Sequence, residues 1–531
     1  MKMQDKTGVY RIEPDPEGMK IVRDSDKIRE DYSDYLKDES NTFGCDVEAL
    51  FFPRSLANIV FVVLEAADKG KKLTVSGGRT GICAGAVPQG GYLLSLDKMT
   101  SVLGLSARNG EFELYAESGL RLADLVQMLR NREVGIENEA SQHLRESRKS
   151  YFYPPDPTET SATLGGTVAT NASGARTLFF GPTRHYVTGL DVIIASGELL
   201  RIRRGDVSCR DGVFSMQKAR GGPLLIPAPR YTMPKTKHSA GLYASTSMDL
   251  IDLFIGSEGI LGIIAAVTIR LIEEPPAIFG GAAFFPTENG ALDFVIEGRE
   301  YRPLALEYFD EESLALLTEQ RQEEGPISDL PEIPESKACV YFEFTGTGAS
   351  SLKDQFSSWA QRIARCGGNP GVAWGALTRR DQLRLKSFRH ALPESINKII
   401  ASHKRQDERI HKVGTDMAVP DQHLRDMMMY YREALSREGI RHVIFGHVGN
   451  NHLHVNMLPS TYEELLRAKD LYLGFARKAV DMGGSVSAEH GIGKLKREFL
   501  RIQYSKKALD DMRTIKYVLD PGHLLNPGTV L

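Results

Sequence analysis

The sequence predicts an α+β protein in two main parts: a glycine-rich first domain, and a second domain whose antiparallel sheet carries helices on one face. Three observations predict it. Clusters of glycine and other small residues follow strand-like runs at Ser76–Pro88 and Thr163–Gly174. After residue 276 the apolar pattern runs strand, helix, strand, strand, helix, an order that suits a sheet with helices segregated to one face. Near the C-terminal end, Val443–Met457 reads VIFGHVGNNHLHVNM, two short strands around a turn.

At 531 residues the chain has room for several domains, at about 150 residues each. A composition of 41% hydrophobic and 25% charged residues is that of a soluble globular protein. The formal net charge of -3 gives no reason to expect nucleic acid. No apolar run approaches the roughly 20 residues of a membrane span, and the polar start MKMQDKTGVYRIEPDPEG is not a secretory signal, so a cytoplasmic location is expected. Peripheral contact with the inner membrane face and a homodimer stay open. The five cysteines form no CxxC pair, which argues against a disulfide framework, a cysteine zinc site or an iron–sulfur cluster. Any electrons produced by such a chain would have to leave to an acceptor held elsewhere.

Residues 1–45 are charged, with a helix expected near Lys27–Leu36, and read as an arm packed on the body. The first domain spans 46–275. It opens with strand ALFFP, helix SLANIVFVVLEAADKG ending at Gly70, and strand KKLTVSGG. The loop Ser76-Gly77-Gly78-Arg79-Thr80-Gly81 that follows can turn backbone N–H groups inward as a nest for phosphate. Its spacing is not that of a GxGxxG fingerprint. Pro154-Pro155-Asp156-Pro157-Thr158 then leads into Thr163-Leu164-Gly165-Gly166-Thr167-Val168-Ala169-Thr170-Asn171-Ala172-Ser173-Gly174, a run of small residues suited to close contact with a large flat ligand. Residues 203–237, charged and rich in Gly and Pro, read as a surface insertion or lid. Ser257-Glu258-Gly259 begins the approach to a β-rich run ending at Leu271.

The second domain spans 276–505, with a polar loop expected near Glu319 to Lys337, and residues 506–531 return to the first domain. If Asn450-Asn451 makes a two-residue hairpin turn, with both residues at positive φ, His447 and His454 oppose each other. Opposed Cβ atoms sit about 5 Å apart, a gap one metal ion can bridge with bonds of roughly 2 Å. His452 falls on the face of His454. Ser487-Ala488-Glu489-His490-Gly491 is the obvious source of a further ligand.

The glycine loop at 76–88, PPDPT…LGGTVATNASG, GSEGILGII and the terminal LDPGHLLNPG together resemble flavoproteins of the vanillyl-alcohol oxidase type. Within that group they are similar to the FAD-dependent D-2-hydroxyacid dehydrogenases, from about residue 46 to 531. The resemblance implies a two-part FAD-binding domain and an antiparallel-sheet substrate-cap domain. It also implies non-covalent FAD on Gly77, Gly78, Arg79, Thr80, Gly81, Pro155, Thr163, Gly165, Gly166, Asn171, Ser173, Gly259, Ile264 and Asn526. Arg79 and Ile260 depart from the usual residues without removing a backbone donor. His185 reads as a turn histidine rather than a flavin attachment point.

The family motif GHxGDGNxH appears here as Gly446-His447-Val448-Gly449-Asn450-Asn451-His452-Leu453-His454, with an altered centre. The resemblance places a divalent metal on His447, His454 and Glu489, with zinc favoured over manganese or iron. It places substrate on Arg389 and Lys412 and the catalytic base on His490; His452, which replaces a family residue, is grouped with the substrate residues, with contact to the metal, the flavin or only solvent left open. The implied reaction takes a D-lactate-like D-2-hydroxy acid to the 2-oxo acid, with hydride to flavin N5. Electrons would pass to a quinone, an electron-transfer flavoprotein or an iron–sulfur subunit. The alternatives are a flavin-carrying subunit of a larger dehydrogenase complex and a related flavoenzyme oxidising another alcohol.

Overall fold

The computed structural model describes residues 6–531 apart from 109, 219, 220, 324 and 326. Its first part is built on two sheets. The smaller has four strands in the order Lys20–Val22, Cys45–Phe52, Gln89–Ser95, Leu73–Ser76. The last three of these run parallel, because the helix Leu56–Asp68 carries the chain back across one face. That helix forms where the periodicity predicts it. Ser55 caps it by accepting from the Asn58 N–H at 3.2 Å, and Ile59, Val60, Val62, Val63 and Ala66 are buried against the sheet.

The larger sheet has seven strands and is antiparallel, with the long Ile263–Glu273 near its middle between Val187–Ile193 and Glu111–Glu117. Residues 6–45 do more than pack on the body: Gly8–Arg11 extends the larger sheet and Lys20–Val22 the smaller. The helix expected to reach Leu36 covers Ser25–Asp31 and is followed by a 3-10 turn at Ser33–Tyr35.

The second part is one seven-stranded antiparallel sheet, ordered Trp374–Ala376, Ala277–Phe285, Ala338–Gly346, Ala305–Asp310, His442–Gly446, His454–Met457, Val413–Gly414. Among the helices that sequence reasoning left out here is Glu311–Arg321, whose end overlaps the expected polar loop. Its signals were present: the Asp310 carboxylate accepts from the Ser313 N–H at 2.9 Å, two glutamates fill the first turn, and Leu314, Leu316 and Leu317 are buried.

The chain then returns to the first part. After the helix Lys506–Leu519, the buried Asp520 carboxylate accepts from Leu524 N, Leu525 N and Lys516 Nζ, a tight turn that lets Asn526 N donate to the Leu73 carbonyl at 2.9 Å. The region 203–237 includes a hairpin, Val213–Met216 with Leu224–Pro227, and at its end the Lys237 side chain turns inward and is buried. No helix among the described residues is long and apolar enough to cross a membrane.

Candidate active site

A cleft of about 380 Å³ lies where the two sheets of the first part meet the second part. Gly77, Gly78, Arg79, Thr80 and Gly81 line one wall, Thr163, Gly165, Gly166 and Ser173 another, and Gly259, Ile264 and Asn526 complete it. At two of these glycines there is no space for a side chain. A Cβ on Gly77 would stand 2.5 Å from Thr163 Oγ1, and one on Gly259 2.5 Å from Asn526 Nδ2. Asn526 ties the walls together: its Oδ1 accepts from Val75 N and its Nδ2 donates to the Glu258 carbonyl, both at 2.8 Å.

Two of the expected cofactor residues stand elsewhere. Pro155 is buried behind the cleft, where Pro157, Thr158 and Glu159 form the wall instead. Asn171, at φ 48°, turns its Oδ1 to the Arg184 N–H at 3.0 Å and so shapes the loop without facing the cleft. His185 ends a 3-10 turn at Thr183–His185, just before the strand Val187–Ile193, and does not line the cleft.

Glu258 borders the cleft, accepting from Ile492 N and Gly493 N at 2.7 Å. Burial pushes its carboxyl up from 4.5 to about 7, against the two backbone donors. A folded state that holds this proton more tightly than the unfolded chain gains stability at low pH and loses that gain as pH rises through about 7. Melting temperatures of the flavin-free protein are therefore expected to fall between about pH 5 and pH 7 and to level off above, and Glu258→Gln to flatten the slope. An unchanged slope in the variant would remove Glu258 as its source.

At the far end of the same cleft stand His447, Glu489 and His490. The turn that carries His447 is not the expected two-residue hairpin. Val448–Asn450 form a 3-10 turn, only Asn451 takes positive φ (53°), and the ladder pairs His454 with Phe445 instead of His447. Arg299 accounts for the difference: its Nη2 donates to the Val448 carbonyl at 2.6 Å and also binds the Asn451 side chain, holding the turn in the tighter form. Gly446, at φ 125°, is needed for that path, since a Cβ there would meet the His454 ring at 2.7 Å.

The changed register still gathers the histidines. His447, His452, His454 and Glu489 each offer a ligand atom within 4.8 Å of the others. His452, expected to touch substrate, is thus grouped with the metal candidates and is wholly buried. The His454 Nδ1 meets the Thr415 carbonyl at 3.0 Å, which leaves Nε2 for an ion. His447 Nδ1 stands 2.7 Å from Glu307 Oε1 and its Nε2 3.2 Å from Glu489 Oε2. Burial alone would lower the His447 imidazole, but Glu307 and Glu489 outweigh it and raise it to about 9. His452 Nε2 stands 3.0 Å from Asp416 Oδ1, while its Nδ1 has no hydrogen-bond partner among the described residues; burial pushes the ring down to about 4. Three imidazoles, one of them with an unpartnered buried Nδ1, and one carboxylate fit a divalent transition-metal ion.

His490 sits beside this cluster, its ring centroid 5.5 Å from that of His454. The wholly buried Asp416 orients it, accepting from the His490 N–H at 3.1 Å and standing 3.3 Å from its Nδ1, so Nε2 is the nitrogen left for substrate. Asp416 is fixed in turn by Ser487 Oγ at 2.5 Å and Lys496 Nζ at 2.8 Å. Sequence reasoning missed Asp416, Glu307 and Lys237. Asp416 lies within Thr415–Pro420, close to Lys412, but nothing in one sequence ties it to His490, which is 74 positions away.

Arg389 is partly buried in the helix Arg379–Lys404, within the field of Glu307, the partner of His447, and of Asp156 and Glu343. Lys412 is not brought in. It is exposed, does not line the cleft, and its Nζ donates at 3.4 Å to Asn397 Oδ1 on the helix that carries Arg389.

A glycine-rich cleft between a two-sheet domain and an antiparallel-sheet second part is the architecture on which the family matches fall. The chain belongs to the FAD-linked oxidases: residues 47–203 match the FAD binding domain, and residues 275–530 the FAD linked oxidases, C-terminal domain. It is similar to a D-lactate dehydrogenase of Anaerostipes hadrus, with 28% identity over 96% of this chain and 94% of the relative. It is also similar to the glycolate oxidase subunit GlcD of Bacillus subtilis (strain 168), 24% identical over 93% and 91%. A D-2-hydroxyglutarate dehydrogenase of Xanthomonas citri pv. viticola is 27% identical over 94% and 92%. Among solved structures, the 4-ethylphenol oxidase of Gulosibacter chungangensis shares the fold at TM-score 0.61 and 17% identity, covering 96% of this chain and 94% of that one.

Proposed function

We propose that the protein oxidises a D-2-hydroxy acid to the 2-oxo acid, using FAD and a divalent metal and passing electrons to an external acceptor. The observation that carries this reading is that His490, His447 and Glu489 line the same cleft as the glycine-rich segments 77–81 and 163–166. The family membership and the names of the relatives support the substrate class.

When bound, FAD supplies a two-electron acceptor, and a divalent ion supplies Lewis-acid polarisation of the hydroxyl. His490 takes the hydroxyl proton at Nε2, while Asp416 holds its ring in one orientation. Arg389 offers its planar fork to the carboxylate or to a second anionic end of a longer acid. His447, His454 and Glu489, with His452 as a fourth donor, would hold the ion; this donor set favours zinc over manganese or iron.

The test uses the purified yellow protein under anaerobic conditions. D-lactate, glycolate, D-2-hydroxyglutarate and longer D-2-hydroxy acids are added in turn, before and after EDTA treatment and metal replacement. The expected result is bleaching of the flavin band by a D acid, loss of bleaching after EDTA and recovery with one metal. No bleaching with any acid would overturn the substrate class, and full bleaching after complete metal removal would overturn the metal requirement.

A further inference from the structure

The end of the 203–237 region and the residues just after it thread into the metal cluster, and this contact is not used by the reaction above. Lys237 is 5% exposed at its side chain and pairs with Glu489, itself 9% exposed, through Oε1. Ser173 Oγ donates to the same oxygen at 3.0 Å. The other carboxylate oxygen, Oε2, is the one turned toward the imidazoles, 3.2 Å from His447 Nε2 and 3.9 Å from His452 Nδ1. The two oxygens of Glu489 therefore have separate environments.

Lys237 is held in place from the following residues. His238 Nδ1 meets Ser485 Oγ at 2.6 Å and its Nε2 meets the Tyr504 hydroxyl at 2.9 Å. Ser239 N donates to the Ser487 carbonyl at 2.9 Å, and Gly491 N donates back to Ser239 Oγ at 3.1 Å. These bonds clamp the strand of chain at 237–239 along the loop Ser485–Gly491 that carries Glu489 and His490. A lysine on a free surface loop would exchange among many rotamers; this one has its backbone fixed on the neighbouring side, so its ammonium meets one carboxylate oxygen.

We infer that Lys237 is a positioning residue for the metal centre: with Ser173 it occupies Oε1 of Glu489, so that Oε2 alone faces the histidines as a single-oxygen ligand. The inference rests on the metal reading above. Partners that orient a ligand in this way are worth about 10–100-fold in metal affinity. The ammonium also repels a divalent ion, and the two effects have opposite signs on substitution. Loss of orientation weakens binding, whereas relief of repulsion tightens it.

The test measures the zinc dissociation constant by chelator competition in the full-length, FAD-loaded protein, together with the flavin spectrum and the melting temperature of the zinc-free form. Lys237→Met is expected to weaken zinc about 10–100-fold with the flavin spectrum unchanged, and Lys237→Arg to restore wild-type affinity. Unchanged or tighter zinc in Lys237→Met would overturn the inference. If that variant fails to fold, Ser173→Ala reads the same oxygen, with weaker zinc expected and unchanged zinc overturning. A wild-type protein that takes up no divalent ion would instead overturn the metal reading itself.

Discussion

Replacing His490 with alanine is expected to slow anaerobic flavin bleaching by a D-2-hydroxy acid about 100- to 10,000-fold, the usual contribution of a positioned general base. His490 is the one imidazole of the group that lines the cleft without a place among the four metal candidates. The loss should fall on the rate at saturating acid, with FAD and metal retained. Stopped-flow bleaching across a substrate series reads both. Normal bleaching in a variant that still holds flavin would remove His490 as the base.

Asp416→Asn separates the base from its orientation. Asp416 is wholly buried and collects six groups: the backbone N–H of Glu489 and His490, Ser487, Lys496, and the rings of His452 and His490. An ionised carboxylate only accepts, so it dictates that His490 presents Nδ1–H inward. An amide can present its NH₂ instead and turn the ring's acceptor inward. Burial opposes the charge on Asp416, but His490, Lys496 and His452 hold its carboxyl well below the usual range, so the acceptor state persists at all working pH. In a serine-protease triad, swapping the orienting Asp for Asn lowers turnover by about 10,000-fold. A similar or smaller loss is expected here.

The motifs that were legible in the sequence are those in which neighbours along the chain do the work together. The loop Ser76–Gly81, the run Thr163–Ser173 and the stretch Glu489-His490 each depend on backbone shape or on adjacent residues, and each lines the cleft. What could not be read is long-range. Asp416 meets His490, Glu307 meets His447, and Lys237 meets Glu489 across separations of 74, 140 and 252 positions. No local pattern encodes such meetings. The helix Glu311–Arg321 was missed for a different reason: its first turn is acidic, so its polar character hid the buried face of Leu314 and Leu317. The turn at Asn450–Asn451 misled because both residues tolerate positive φ, while the form adopted depends on Arg299, 149 positions before the Val448 carbonyl it holds.

His454→Ala is expected to lose the metal, and with it the EDTA-sensitive part of the activity, while keeping FAD. The reasoning starts from the two ends of the imidazole. Its Nδ1 already meets the Thr415 carbonyl, and burial holds the ring neutral well below its ordinary range, the state in which Nε2 binds a metal. Removing this ligand leaves two imidazoles and Glu489, and should exceed the about 10–100-fold loss expected for an outer-shell partner. His452 tests the altered centre of this chain. If it is a fourth donor, His452→Asn weakens zinc by a similar amount; if it only fills the space beside Asp416, zinc affinity is unchanged while the orientation of His490, and so the bleaching rate, suffers. Zinc content after dialysis against graded chelator, read beside the bleaching rate in the same preparations, separates these. Wild-type zinc retention in His454→Ala would show that the cluster is a buried hydrogen-bonding network and not a metal site.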